Sequence, residues 1–391
     1  MTNRTFGALG ITVFEAMSRL AAAHGAVNLG QGFPEGLEPR AVVEAAAAAL
    51  LEGPHQYPPM RGVPELRRAV AENGARFFGI EADWESEVLV TSGATEALAA
   101  AFFALLNPGD EAIILEPAYD SYAPIIERAG ATVVPVRLVA PDWTLPKAAL
   151  EAAVTAHTRL IVVNTPMNPT GKVFSAEELA WLAAFLVRHD LVAVCDEVYE
   201  HLTFDGTRHA SLFGLPSARA RTVRIGSAGK SFSMTGWKVG YITAERALIE
   251  PIARAHQYLT FTTPPALQRA VAAGLALDAA YFDGLRGALQ ERRDFLAAGL
   301  AEAGFDVLPC SGAYFLNIDI SAFDAAGDDQ AFAERLVREA GVATIPLSAF
   351  YRDKATTGLV RLCFAKHRAT LEEAIARLGR WRDGAALKAA E

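Results

Sequence analysis

"EVLVTSGATEALAAAFFALLNPGDEAIIL", residues 87–115, passes from a β-branched run through an alanine-rich helical run to a second β-branched run. "EVLVT" ends at Thr91, "ATEALAAAFFALL" begins at Ala94, and "EAIIL" resumes the strand pattern at Glu111. Two apolar strands joined through a helix read as a parallel βαβ unit, since a crossover of that length is needed to bring the chain back in the same direction. The alternation extends both ways. "AVVEAAAAALLE" (41–52) is helical before it, and "ATVVPV" (131–136), "RLIVVN" (159–164), "LVAVCDEV" (191–198) and "RTVRIGS" (221–227) are strand-like after it, with helical "SAEELAWLAAFLVRH" (175–189) between. Strands apolar on both faces need helices on both sides, so the fold class is α/β: a large domain with a mostly parallel sheet flanked by helices.

Beyond about residue 280 the rhythm changes. A long helical stretch (281–304) leads to strand-like "AYFLNIDI" (313–320), helical "DQAFAERLVREAG" (329–341), and strand-like "VATIPL" (342–347) and "GLVRLCFA" (358–365), a smaller α+β domain. We expect residues 1–40 to form an N-terminal arm and part of the small domain, 41–285 the large domain and 286–391 the small C-terminal domain.

With 36 basic against 45 acidic residues, the net charge of −9 gives no electrostatic attraction to nucleic acid or to an anionic membrane, and small-molecule ligands are the expected partners. Cys195, Cys310 and Cys363 lie too far apart for a disulfide framework or a zinc cluster, so no metal is expected. "FGALGITVF" (6–14) has the length of a signal-peptide core, but Glu15 and Arg19 separate it from the small-residue triad at 21–23. No apolar run reaches the roughly 18 residues of a membrane span, and a cytoplasmic location is expected.

Lys230 in "GSAGKSFSMTGWKVG" (226–240) sits between glycine and serine, as in a phosphate-binding loop. The first glycine of such a loop would fall at position 224, which is Arg224, and no helix pattern follows. "GQGFPE" (30–35) likewise puts Glu35 where a dinucleotide-binding turn needs its last glycine. The remaining chemistry is a Schiff-base lysine, which requires an aldehyde cofactor and its cradle. Asp196, arriving as "LVAVCDEVY" ends, could face a pyridine nitrogen; taken alone it could equally cap a turn. Tyr199 could reach the phenolic oxygen of the same ring. Gly93, Ala94 and Thr95 open a helix whose free amides favour a phosphate, on which the Ser227 hydroxyl and the Lys238 charge could converge; taken alone it is only a well-capped helix, and Lys238 could equally be a solvated surface charge. "NTPMNPTGK" (164–172) is a loop at another strand end, offering the amides of Asn164 and Asn168.

In this order the segments resemble the fold type I, class I/II pyridoxal-phosphate aminotransferases, most closely the kynurenine/glutamine and methionine aminotransferase branch. The resemblance runs through "NLGQGFP", "QYPPMRGVPELRRAV", "TSGATEAL", "EPAYDSY", "NTPMNPTGKV", "DEVYEHLTF", "SAGKSFSMTGWKVGY", "HQYLTF" and "LVRLCFAK". It implies pyridoxal 5'-phosphate bound covalently by Lys230, with Asp196 at the ring nitrogen, Asn168 and Tyr199 at the phenolic oxygen, and Tyr119 stacked on the ring. Gly93, Ala94, Thr95, Ser227 and Lys238 would hold the phosphate, joined by Tyr57 of a neighbouring subunit, which implies a homodimer with shared active sites. Arg361 would clamp the substrate α-carboxylate with Asn168 and the backbone of Gly32, an assignment the bidentate guanidinium fork favours. Many relatives carry arginine where Lys238 stands, so a point charge would replace a planar clamp.

The resemblance further places Phe14, Phe261 and Tyr57 on the side-chain pocket, with Tyr122 near it. An aromatic, uncharged lining suits methionine, phenylalanine, tyrosine, kynurenine or glutamine as donors to a 2-oxo acid, and no second arginine is evident for a distal carboxylate. Two alternatives stay open: a cysteine-conjugate β-lyase using the same cofactor, and a non-catalytic cofactor-binding sensor, which would need a DNA-binding module for which the N-terminal segment is too short.

Overall fold

The computed structural model describes residues 3–390. Seven strands make the large sheet: β1 (Val88–Thr91), β2 (Glu111–Glu116), β3 (Thr132–Arg137), β4 (Thr158–Asn164), β5 (Val192–Asp196), β6 (Thr222–Ser227) and β7 (Gly240–Ala244). Their order is β1-β7-β6-β5-β4-β2-β3. All neighbours run parallel except at β7, which is antiparallel to both β1 and β6. The sequence pattern did not mark β7: it follows β6 across residues 228–239, which hold only the one-turn helix Ala228–Ser231 and a 3-10 turn, and it returns antiparallel beside β6.

Burial explains the apolar strands. Ala112 and Ile114 of β2 face one core with Val162, Val194, Ile225 and Ile242, against the helices Gly93–Leu105 and Arg246–Leu259. Ile113 and Leu115 face the other with Ile161, Val163 and Cys195, against the helix Ala176–His189. Successive residues on a strand point to opposite faces, so strands covered on both sides lose the polar half of the alternation. Ser175 starts the last helix by accepting from Glu178 N while the Glu178 carboxylate accepts from Ser175 N, a reciprocal cap.

The second sheet is antiparallel, ordered β10-β11-β9-β8: β8 (Asp306–Val307), β9 (Phe315–Asp319), β10 (Ile345–Pro346) and β11 (Leu359–Cys363). The helix Ala279–Glu302 carries Phe282 in the large-domain core and Leu289, Leu296 and Leu300 in the core shared with the small sheet. It therefore runs through the boundary expected at 285. Residues 27–28 pair in parallel with 342–343, and Cys363 N donates to Leu29 O at 2.7 Å, so the N-terminal segment lies along the small sheet. Among the described residues no helix is long and apolar enough to cross a membrane.

Register aligns the strand ends. Asn164 stands opposite Asp196, and Gly240 stands opposite both Thr91 and Ser227. The carboxyl ends of β4, β5 and β6 thus deliver polar residues to one edge, where open α/β sheets bind ligands.

Candidate active site

A cavity of about 410 Å³ opens at that edge, closed on its far side by the N-terminal segment and the small domain. Lys230, Asp196, Tyr199, Asn168, Tyr119, Gly93, Ala94, Thr95, Ser227, Lys238, Gly32, Phe14 and Arg361 all line it. Gln31, Phe33, Asn164 and Phe315 line it too.

At the sheet end, Asp196 is 5% exposed. Its Oδ2 accepts from the Tyr122 hydroxyl at 2.6 Å and its Oδ1 from Val198 N at 3.4 Å. Burial raises its carboxyl above the usual range, against the opposing pull of the Tyr122 and Val198 donors and of the Lys230 charge. Asn164 holds the strand end, donating to Asp196 O at 2.8 Å and accepting from Asn168 N at 2.8 Å. Behind this turn, Glu197 and Glu200 point the other way and meet Arg224 of β6: Arg224 Nε donates to Glu197 Oε2 at 2.8 Å, and its Nη2 pairs with Glu200. In "DEVYE" Asp196 and Tyr199 therefore face the cavity while their neighbours are pinned from behind.

The floor at the other end is backbone. A methyl group added at Gly240 would stand 2.6 Å from the Gly93 carbonyl carbon and 2.8 Å from Ala94 N. The helix Gly93–Leu105 begins there without a side-chain cap from Ser92. Lys238, held at φ 54° and exposed at the rim, places its ammonium over Gly93: a methyl there would lie 3.2 Å from Lys238 Nζ.

Arg361 closes the opposite wall from β11, a central strand of the small sheet. It is 1% exposed, stacks on Phe315 at 4.0 Å, and donates to Asn168 Oδ1 and Gly30 O, each at 2.7 Å. Its Nε has no partner and, among the described residues, no carboxylate lies within ion-pair distance, the Asp120 charge acting on it only through space; burial pulls its pKa down to about 10, so it remains charged at neutral pH. A buried cation lacking an anion is a site prepared for one.

Three of the expected site residues, Tyr122, Tyr57 and Phe261, do not line this cavity, Tyr57 being the one expected in a neighbouring subunit's site, and one residue that was not expected, Tyr314, lies against Lys230. Tyr122 does not approach the side-chain pocket: it is the first residue of the helix Tyr122–Arg128, which turns its ring inward to 2% exposure and its hydroxyl onto Asp196. Tyr57 and Phe261 are absent from the chain's own cavity; they pack edge-to-face on each other at 5.3 Å, 81% and 38% exposed. Tyr314, unmarked by any sequence pattern, accepts from Lys230 Nζ at 3.0 Å.

The sequence profile of aminotransferase class I and II matches residues 25–378. The chain is 46% identical over 379 residues to the probable N-succinyldiaminopimelate aminotransferase DapC of Mycobacterium tuberculosis, covering 94% of this chain and 95% of that protein. It is 42% identical over 370 residues to the methionine aminotransferase of Escherichia coli, covering 95% and 96%. The solved structure of the E. coli methionine aminotransferase YbdL superposes with a TM-score of 0.94 at 41% identity, over 97% of this chain and 99% of that one. The chain belongs to the class I and II aminotransferases, pyridoxal phosphate-dependent enzymes of fold type I.

The cavity fits that cofactor on its own geometry. Asp196 is a buried carboxylate with no cation within hydrogen-bonding distance, suited to a protonated ring nitrogen. The uncapped helix start, with no side chain at Gly93 or Gly240 to fill the space, suits a phosphate beside Ser227 and Lys238.

Proposed function

We propose that the enzyme moves the α-amino group of an uncharged or aromatic amino acid, in the class of methionine, phenylalanine, tyrosine, kynurenine and glutamine, to a 2-oxo acid. What carries this reading is the cavity wall: Arg361 stands charged and without an ion pair for one carboxylate, and Phe14, Phe33, Tyr119 and Phe315 give the wall its aromatic part beside uncharged groups such as Gln31 and Thr235. Lys230 and Lys238 are the only other cations lining it among the described residues, and both are assigned to the cofactor. A donor with a second carboxylate, as the name of the mycobacterial relative indicates, finds no further cation there.

Bound in this cavity, pyridoxal phosphate supplies an aldehyde that bonds to amines and a pyridinium ring that takes up the electron pair left at the substrate Cα. Lys230 Nζ would hold the cofactor and then, freed, remove the Cα proton. Asp196, its charge fixed by the Tyr122 hydroxyl and the Val198 amide, would keep the ring nitrogen protonated. Tyr199 and Asn168 would donate to the phenolic oxygen, Tyr119 would cover the ring, and Gly93, Ala94, Thr95, Ser227 and Lys238 would hold the phosphate. Arg361, with Asn168 and the Gly32 backbone, would fix the carboxylate and so the Cα–H direction. We read the exposed Tyr57–Phe261 pair as part of a face that meets a second copy, with Tyr57 completing the partner's phosphate site and Phe261 its side-chain pocket.

A donor panel with single-turnover absorbance tests this. Methionine and aromatic donors should exceed aspartate and N-succinylated diamino acids in kcat/KM; a preference for either acidic class sinks the substrate reading. Lys230→Ala should lose at least about 10³-fold in turnover while keeping its fold.

A further inference from the structure

One side chain in the wall is not accounted for by the proposed roles. Tyr314 is fully buried and does not line the cavity, yet its hydroxyl sits between two parts of the site. Lys230 Nζ donates to it at 3.0 Å, and it donates to Gly32 O at 2.9 Å. The preceding residue, Ala313, is fully buried with φ 60°, a left-handed backbone that a residue with a Cβ rarely adopts. That turn starts β9 and aims Tyr314 at Lys230 rather than along the small sheet. Gly32 is pressed onto the same place: a methyl group there would stand 2.8 Å from the Phe315 ring. The Phe315 ring in turn lies under Arg361 at 4.0 Å.

A phenol carries one proton. While that proton is given to Gly32 O, the Tyr314 oxygen accepts from Lys230, and when the lysine is a neutral amine this fixes one of its N–H groups and leaves its lone pair free to face the cavity. If Gly32 lifts away, the freed proton has two acceptors beside it, the Tyr199 phenol and the lysine nitrogen, and on the latter it occupies the lone pair that would act as base. Burial raises the Tyr314 phenol, so the hydroxyl stays protonated in either arrangement.

Resting on the aminotransferase reading above, we propose that Tyr314 is a positioning residue that keeps the Lys230 amine available as a base only while the N-terminal segment carrying Gly32 is seated over the substrate. The hydroxyl thereby couples closure of the site to basicity, without touching the substrate.

The test uses Tyr314→Phe, which keeps the ring and removes the hydroxyl, with Gly32→Ala breaking the link from the other side. In the pyridoxal phosphate-loaded enzyme, Tyr314→Phe should lower kcat for methionine roughly 10- to 100-fold, the range of one misdirected proton-transfer group, with KM changed less than threefold. The double variant should lose no more in kcat than the worse single one, since both cut the same link. In the cofactor-free protein, amide hydrogen exchange over residues 29–34 should be faster in Tyr314→Phe than in the parent. A kcat within twofold of the parent, or additive losses in the double variant, overturns the proposal, as does exchange over 29–34 that is unchanged. Borohydride reduction and peptide mapping separate the two levels: if the cofactor is not on Lys230, this inference and the aminotransferase reading fall together; if it is on Lys230 and Tyr314→Phe behaves as the parent, this inference alone falls.

Discussion

Two arginines, Arg224 and Arg361, are almost equally buried, at 2% and 1% exposure, and they are partnered in opposite ways. Arg224 ends inside a closed set: Glu197 and Glu200 take its charge, Ser211 and His209 complete Glu197 at 2.7 and 3.0 Å, and Tyr241 completes Glu200 at 2.8 Å. Arg361 has two neutral acceptors, an aromatic face and an unpartnered Nε. The difference separates structure from function within one chain. A buried charge whose counter-charges are built in holds the fold together, whereas one without an ion pair is suited to take its counter-charge from a ligand, the role proposed for Arg361.

Exchanging each arginine for methionine breaks the comparison in opposite directions. Arg224→Met leaves Glu197 and Glu200 buried without their cation, a loss of about 3–5 kcal/mol of stability, read from the urea unfolding midpoint. A midpoint shift worth under about 1 kcal/mol would mean that the cluster relaxes or takes up protons, and that its pairing is not structural. Arg361→Met removes a cation that makes no ion pair among the described residues and feels the Asp120 carboxylate only through space. Its unfolding should change by less than about 1 kcal/mol in either direction, because lost hydrogen bonds to Asn168 and Gly30 are offset by relief of an unpaired charge. Its kcat/KM for methionine should nonetheless fall about 10²- to 10³-fold. Stability loss as large as that of Arg224→Met would show Arg361 to be structural after all.

The same pair shows what could be read before folding. Arg361 was legible because "GLVRLCFA" is apolar on both faces, so a guanidinium within it asks for a partner. Arg224 lies in an equally buried but less apolar strand, and its partner Glu197 is 27 residues away and meets it only through the register of β5 against β6. The parallel strands were visible because burial on two faces leaves an uninterrupted apolar run, whereas β7 is preceded only by the one-turn helix Ala228–Ser231 and a 3-10 turn, too little periodic pattern to announce it. Tyr122 was expected near the side-chain pocket, and its hydroxyl reaches Asp196 instead, a contact that spacing along "EPAYDSY" does not reveal because it says nothing of where a helix begins. One residue earlier or later, the start of that helix would send the hydroxyl elsewhere than Asp196. Tyr314 gave no signal, because an aromatic residue at the head of a buried strand is ordinary core composition.

A third buried group near the Arg224 cluster sharpens the distinction. His201 is 6% exposed, stacked on Phe282 at 4.2 Å, with Nε2 at 3.1 Å from Asn73 Oδ1. Asn73 Nδ2 donates to Leu275 O at 3.2 Å, which fixes the amide orientation and assigns the imidazole proton to Nε2. Burial, reinforced by the charges of His209, Arg76 and Arg286, pulls its pKa from 6.5 down to about 3. Arg361, lacking an anion, cannot give up its proton at neutral pH and awaits a ligand; His201 in the same predicament stays neutral. The consequence has a definite sign. Between pH 6.5 and about 3 the unfolded chain binds a proton at this position that the folded chain refuses, so its contribution is intact above pH 6.5 and is lost as pH falls toward 3. The slope approaches about 1.4 kcal/mol per pH unit in the middle of that window. His201→Gln keeps a donor for Asn73 but cannot titrate, so its unfolding free energy should fall less steeply than that of the parent between pH 6 and pH 4, by about one proton's worth of slope. Arg361→Met should keep the parent's slope, since the substitution lies in the other region. Equal slopes in the parent and His201→Gln would show that the imidazole takes up its proton in the folded state, and that burial there does not exclude charge.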